Sequence, residues 1–420
     1  MRVLWVSGNA GDYKKTTLKG TGGWVGAMQR VLTAAKPDLE LGILFCHPTD
    51  DSPVTEGNVT YLPTLYATGS NALGKLYHHR FRDEAKHNRE TVLRMVEKVR
   101  AYNPDVIHVW GLENFYAGVL EFVHDIPTVV HIQGLTCAYT YTYTYTPPCY
   151  SRDDLRQSDS WLNRVVLRRG NWYGYKTFER RAANELRLAP YVNNWIGRTE
   201  WDKTMAEMLS PGSRYFHCDE MMRGDFFGHQ WHYHYDGTTL QLQSSVSQSW
   251  YKGMDVILKT ADLLKRQGVN VCWHIYGWTR HNTMMRMFER RTGVNPDEVG
   301  VVCHGNVDGE TIRNGLLSCD AYVHPSYIEN SSNAIAEAQL LGVPVVAQLV
   351  GGNATMLKED SGILVAPNEP YIMAAKIMSL RDERVATGYS ERARQVAYCR
   401  HDKDRVISDL LGIYQSLKEQ

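Results

Sequence analysis

Seven residues, Asn330-Ser331-Ser332-Asn333-Ala334-Ile335-Ala336, separate the two carboxylates Glu329 and Glu337. Upstream, Ala321 to His324 reads as a short buried strand that Pro325-Ser326 ends. Ser331, Ser332 and Asn333 are helix-capping types, Ala334 to Leu341 are strong helix formers, and Gly342 suits a C-terminal cap. Val343 to Ala347 is a second strand, and Gly351-Gly352 opens a further turn. The unit is therefore strand, loop, helix, strand, with polar groups gathered where the first strand ends and the helix begins. Free backbone N–H groups and the helix dipole both favour an anion at that point. Two solvated glutamates on a surface helix are the plain alternative for the spacing taken alone.

The whole string is more specific than the spacing. Glu-x7-Glu, followed by Ala, a helix-ending Gly and Pro-Val-Val-Ala, resembles the signature of retaining GT-B glycosyltransferases of the family 4 group. That resemblance covers about Lys252 to Ala366 and implies an α/β GT-B fold, two Rossmann-like domains facing across a deep cleft, with a C-terminal helix crossing back to the first. It implies that Glu329 contacts hydroxyls of the transferred sugar and that Glu337 holds the ribose of a UDP- or GDP-sugar. Asn330, Ser331, Ser332 and Asn333 would complete the donor site, with Gly277 and Val307 from the neighbouring strand ends. Lys252, in Lys252-Gly253, would bind the diphosphate. The family usually supplies an Arg a few residues earlier, whereas this chain has Ser245-Val246-Ser247-Gln248-Ser249. Ser247, backbone N–H groups or Arg198 are the candidates to substitute, since a diphosphate calls for a strong cationic partner. By the same resemblance Gly22 and Gly23 face the donor phosphates across the cleft, and His131 touches the donor sugar near the reacting carbon.

Composition narrows the class. The chain has 420 residues, room for two domains, and its 46 basic and 46 acidic residues cancel, so no nucleic-acid partner is expected. No apolar run is long enough to span a bilayer, and Met1 to Ser7 is too short for a signal peptide. Eight scattered cysteines without a Cys-x-x-Cys pair fit reduced thiols in a cytoplasm better than a disulfide framework or a zinc site. The 11 Trp and 25 Tyr exceed what a core needs and hint at stacking platforms for sugars.

The elements that must position these residues follow in chain order. Arg2–Ser7, Leu41–Cys46, Val59–Leu62, Asp105–Trp110 and Pro127–His131 read as strands, with helices over Trp24–Ala35 and Glu84–Tyr102. Tyr139, Tyr141, Tyr143 and Tyr145 alternate with Thr, which predicts an extended segment with its rings on one face until Pro147-Pro148. It reads either as an edge strand or as an acceptor platform. From Ser160 to Arg187 basic residues (Arg164, Arg168, Arg169, Lys176, Arg180, Arg181, Arg187) interleave with Trp161, Trp172, Tyr173, Tyr175 and Phe178. Solvated faces of packed helices and a seat on an anionic membrane both account for that pattern. Met221 to Asp236 loses periodicity; His229, His232 and His234 fall in it without a fourth ligand, so no metal is expected. The expected division is a first domain over 1–225, a linker over 226–237, a nucleotide-sugar domain over 238–398, and a returning helix over 399–420.

The function so implied is transfer of a sugar, with retained configuration and no cofactor, to a polysaccharide or lipid-linked acceptor in envelope or capsule synthesis. The location would be cytoplasmic, with peripheral contact to the inner membrane face left open. A UDP-sugar epimerase of the same architecture and a catalytically silent nucleotide-sugar-binding scaffold are the rivals; the missing Arg speaks for the second.

Overall fold

A computed structural model describes residues 1–15, 24–66, 83–145 and 151–419. Gly22, Gly23, Pro147, Pro148 and Cys149 lie outside the described residues.

Apolar runs in this chain build two sheets. The first contains β1 (Arg2–Val6), β2 (Glu40–His47), β3 (Val54–Glu56), β4 (Val59–Leu65), β5 (Val106–Trp110), β6 (Thr128–His131), β7 (Asn194–Gly197) and β8 (Arg214–His217), in the order β3-β4-β2-β1-β5-β6-β7-β8. The second contains β9 (Thr239–Ser245), β10 (Asn270–Tyr276), β11 (Val301–Gly305), β12 (Ala321–His324), β13 (Val345–Gln348) and β14 (Ile363–Val365), ordered β11-β10-β9-β12-β13-β14. Every pairing is parallel except β3 with β4. Helices cover both faces of a parallel sheet, which is why β1, β5, β12 and β13 are buried along nearly their whole length. In each sheet the strands' C-terminal ends form the edge where ligands bind.

The chain returns to its start. The last helix, Lys403–Lys418, places Val406, Leu410, Tyr414 and Leu417 in the first-domain core beside Val3, Trp5 and Met28. Trp5 Nε1 donates to the Tyr414 hydroxyl at 2.8 Å, and that hydroxyl lies 2.6 Å from His108 Nδ1. Burial holds His108 down at about 3, so its ring is neutral and Nδ1 accepts the tyrosine proton.

Two elements differ from the sequence reading. Thr136–Tyr145 is a helix, not an extended run. The buried Glu185 carboxylate accepts from Cys137 N at 2.7 Å and from Thr136 Oγ1 at 3.2 Å, so a distant carboxylate anchors the first turn and overrides the β propensity of Thr and Tyr. Glu383–Arg400, unread in the sequence, is a helix capped by Asp382. The stretch read as a connection passes from one core to the other and packs as it does so: Met221 belongs to the first core, while Met222, Phe226 and Trp231 belong to the second. Trp231 Nε1 donates to the Cys319 carbonyl at 2.7 Å.

Candidate functional site

The candidate site grows from the end of β12. After His324 the chain passes through Pro325 to Ser332, whose hydroxyl caps the helix Asn333–Leu341 by accepting from Ile335 N. Two glycines allow this loop to be gripped by its neighbours. Gly253 (φ +71°) lies so close that a Cβ would fall 1.9 Å from the Pro325 carbonyl oxygen, and one on Gly351 (φ +49°) would fall 1.8 Å from that of Glu329. The Lys252-Gly253 loop and the Gly351-Gly352 turn therefore sit directly on the loop backbone, and Gly352 N donates to the Glu329 carbonyl at 3.1 Å.

The side chains converge. Lys252 Nζ donates to Glu329 Oε2 at 2.5 Å, and His324 Nε2 lies 2.9 Å from the same oxygen. Burial alone would raise the Glu329 carboxyl, but the Lys252 charge and the His324 hydrogen bond hold it well below the usual carboxylate range. Burial disfavours the Lys252 charge as well, and Glu329 more than compensates, so the ammonium is kept. Burial lowers His324 despite its carboxylate partner; the neutral ring donates from Nε2, leaving Nδ1, 3.2 Å from the Tyr322 hydroxyl, to accept. Beside this cluster the Asn330 side chain, 2 % exposed, has both amide atoms without a hydrogen bond among the described residues. A buried amide left that way is a group awaiting a partner.

Glu337, one helix segment on, is buried, and burial pushes its carboxyl up; Arg223 opposes this with an ion pair. The Arg223 guanidinium lies 4.7 Å above the Phe226 ring. Sequence reasoning passed over Arg223, although it is the one Lys or Arg in the aperiodic stretch 221–236. His324 was also passed over, for a strand-end histidine carries no spacing signal.

The remaining assignments divide. Ser247, Gly277 and Val307 follow β9, end the β10 turn and follow β11 on the same sheet edge; Trp278 Nε1 donates to the Ser247 carbonyl at 2.8 Å. Asn333 is exposed at the helix start, whereas Ser331 is turned into a polar junction between the domains. There Ser331 Oγ donates to Glu220 Oε1 at 2.9 Å and accepts from Arg400 at 3.1 Å. Arg198 lies in the same junction, donating to the Ile132 carbonyl at 3.2 Å, with Glu220 at 4.0 Å. Burial would raise Glu220, but Arg400, His401 and Arg198 together take it down to about 2. His131 is fully buried in the first domain, its ring stacked 4.9 Å from Trp110 and 5.3 Å from His108. The structure thus brings Lys252, Glu329 and Asn330 together, and it stacks the His131 ring on Trp110 and His108 at the end of β6.

First-domain helices close over the Trp250–Lys252 segment. The Tyr139 ring is 5.2 Å from that of Tyr251, and Phe178 is 5.5 Å from Trp250. Of the two readings of the basic stretch, packed helices with solvated charges describe much of it: Tyr175 and Phe178 pack on the second domain, and Lys176, Arg180 and Arg187 pair with Glu179, Glu84 and Glu121. What remains outward is the knuckle of Trp161, Leu162 and Val165, exposed by 63 %, 51 % and 45 %, beside Arg164, Arg168 and Arg169. No described helix is long and apolar enough to cross a membrane, and no described cluster of three His, Cys, Asp or Glu is placed to hold a metal. His234 of the histidine tract instead meets the Ser318 carbonyl at 3.0 Å.

Residues 241–383, which contain the whole cluster, match the family model of the glycosyl transferases group 1. Over that stretch the chain is similar to the group 1 glycosyl transferases. A D-inositol 3-phosphate glycosyltransferase of Thermomonospora curvata is 34% identical over 108 residues, 24% of each chain. The putative teichuronic acid biosynthesis glycosyltransferase TuaC of Bacillus subtilis is 30% identical over 86 residues, 20% of this chain and 22% of that one. The chain thus aligns with about a quarter or less of these relatives' lengths. Solved structures extend the likeness to the whole fold. The sucrose-phosphate synthase of Thermosynechococcus elongatus superposes with TM-score 0.68 at 15% identity, covering 99% of this chain and 98% of that one. Anabaena HepE, solved with UDP and glucose, gives TM-score 0.61 at 14% identity and 99% of both chains. The architecture is GT-B: two Rossmann-like domains and a returning C-terminal helix.

Proposed function

We propose that this chain is a group 1 glycosyltransferase, moving a sugar from a nucleoside-diphosphate sugar to a saccharide or lipid-linked acceptor with retention of configuration. The observation that carries the reading is the Lys252–Glu329–His324 cluster beside the unpartnered Asn330 amide, at the N-terminus of the Asn333–Leu341 helix. A helix N-terminus and a buried ammonium supply positive potential for a diphosphate. A carboxylate fixed in its charged state, and an amide with one donor and one acceptor side, supply hydrogen bonds for sugar hydroxyls. Glu337 accepts from ribose hydroxyls once Arg223 yields part of its hold. HepE was solved with UDP and glucose, which supports a UDP-sugar as donor.

In this reading the chain offers positioning plus electrostatic stabilisation of the leaving diphosphate, whose oxygen takes the acceptor proton on the attacked face. The exposed Trp161 knuckle with its arginines supports a seat on an anionic membrane surface, where a lipid-linked acceptor would be met. The Ser245–Ser249 segment, which has no cation, favours the second reading, a donor-binding protein without catalysis. Incubation with UDP- and GDP-sugars, following slow release of nucleoside diphosphate and the anomeric configuration of the sugar released, decides between them. A released sugar of retained configuration supports the transferase; donor binding with no release leaves only the silent protein, and binding of no nucleotide-sugar removes both.

A further inference from the structure

A cavity of about 600 Å³ in the first domain is untouched by the donor cluster. It lies between the start of the helix Glu84–Tyr102, the segment Phe115–Glu121 and the second half of the helix Asn171–Leu188. One wall is aromatic: the Tyr66 ring stacks on Phe115 at 5.0 Å and on His87 at 4.5 Å, its hydroxyl donating to Asn88 Oδ1 at 2.8 Å. Flat rings with polar groups at their rim suit the C–H face and hydroxyls of a sugar.

The opposite wall carries charge, and most of it is spent internally. Glu84 receives Arg180 at 2.6 Å, and Glu121 receives Arg187. Arg89 and Arg181 have no ion pair among the described residues; Arg89 lies 5.7 Å above the Phe122 ring. Glu113 has a buried Oε2 with no hydrogen bond among the described residues. Burial, reinforced by the Glu185 charge and opposed by Arg181, pushes the Glu113 carboxyl up to about 8, so near neutral pH it is chiefly protonated and a donor. Two guanidinium groups without an ion pair among the described residues, and a carboxylic O–H, offer donors to acceptor oxygens.

The cavity is also tied to the donor side. Thr177 lines it, and the next residue, Phe178, packs 6.0 Å from Tyr251, the neighbour of Lys252. Glu185, which faces Glu113, anchors the helix that brings Tyr139 to Tyr251. We propose that this cavity is a binding site for an anionic sugar, bearing a phosphate or carboxylate that Arg89, Arg181 and Glu113 read while the Tyr66–Phe115 wall carries the ring. The proposal rests on the cavity alone and stands apart from the transferase reading.

Calorimetry on the full chain tests it with glucose, glucose 6-phosphate, glucuronic acid and inorganic phosphate as probes, and with UDP in parallel as the measure of an intact fold. One or both anionic sugars should bind at least about tenfold more tightly than glucose and than phosphate, the size of one charge-assisted hydrogen bond; which of the two wins tells phosphate from carboxylate. Arg181→Ala and Arg89→Ala should each erase about tenfold of that preference. Glu113 faces Glu185, Arg181 and the Tyr116 hydroxyl. Its ionisation as pH rises through about 8 should weaken the anionic sugar in the wild type, and Glu113→Gln should remove that fall. Equal binding of glucose and the anionic sugars, phosphate binding as well as the sugars do, no sugar binding at all, or indifference to Arg181→Ala would each overturn the proposal. If instead UDP and the nucleotide-sugars fail while the anionic sugar still binds, the transferase reading falls and the ligand class stands.

Discussion

Glu329→Ala separates the two ligands of the donor site, and the Lys252–Glu329 contact sets both the sign and the size of the effect. In the free protein, Lys252 Nζ lies 2.5 Å from Glu329 Oε2, with the two side chains only 14% and 10% exposed. Removing the carboxylate leaves an ammonium largely out of water, and breaking such a buried pair costs about 3 kcal/mol, the lower end of the range because Lys252 keeps some access to solvent. Urea unfolding of the free variant should show that loss. A diphosphate supplies the missing counter-charge, so UDP should restore much of the stability and bind the variant at least as tightly as the wild type, where Glu329 competes for the same ammonium. Transfer should move the other way. Loss of a charge-assisted hydrogen bond to the sugar, about 1.5–3 kcal/mol, corresponds to roughly a ten- to 150-fold slower reaction. Titration with UDP beside a turnover assay gives both numbers. A variant whose UDP affinity falls in step with its turnover would show that Glu329 does not stand between Lys252 and the sugar, and the site reading would fail.

Tyr414→Phe strands the Trp5 N–H and the His108 ring nitrogen, both buried, and should lower stability by about 3 kcal/mol at one to three for each unpaired group; equilibrium unfolding that is unchanged would mean that the returning helix is not held there. Glu220 is depressed from 4.5 to about 2. Its contribution of about 3 kcal/mol is present above its unfolded pKa of 4.5 and lost as pH falls from there toward 2, so Glu220→Gln should flatten that part of an acid-unfolding curve. The Trp161 knuckle predicts sedimentation with anionic but not neutral liposomes at low salt, release at high salt, and loss on replacing Trp161 and Leu162 by Ser. Equal recovery with both kinds of liposome would remove the membrane from the functional reading.

Local signals sufficed wherever one short stretch had to supply both an element and its chemistry. Ala321–His324, the Ser332 cap, the helix through Leu341 and its Gly342 end are written in consecutive residues, because burial on both faces and capping each demand particular residue types at particular steps. The close approaches at Gly253 and Gly351 fall at glycines visible in the sequence, since no other residue tolerates them. Tertiary contact decided the rest. Thr and Tyr alternating over 136–145 favour a strand by propensity, and Glu185, about 50 residues away, makes a helix of them by satisfying its free N–H groups. Arg223 and His324 gain meaning only when folding sets them against Glu337 and Glu329. Which cations of the Ser160–Arg187 stretch are spent on Glu84, Glu121 and Glu179 depends on partners up to 96 residues distant. A charge's availability is a property of its neighbours, and the sequence lists the charge without them.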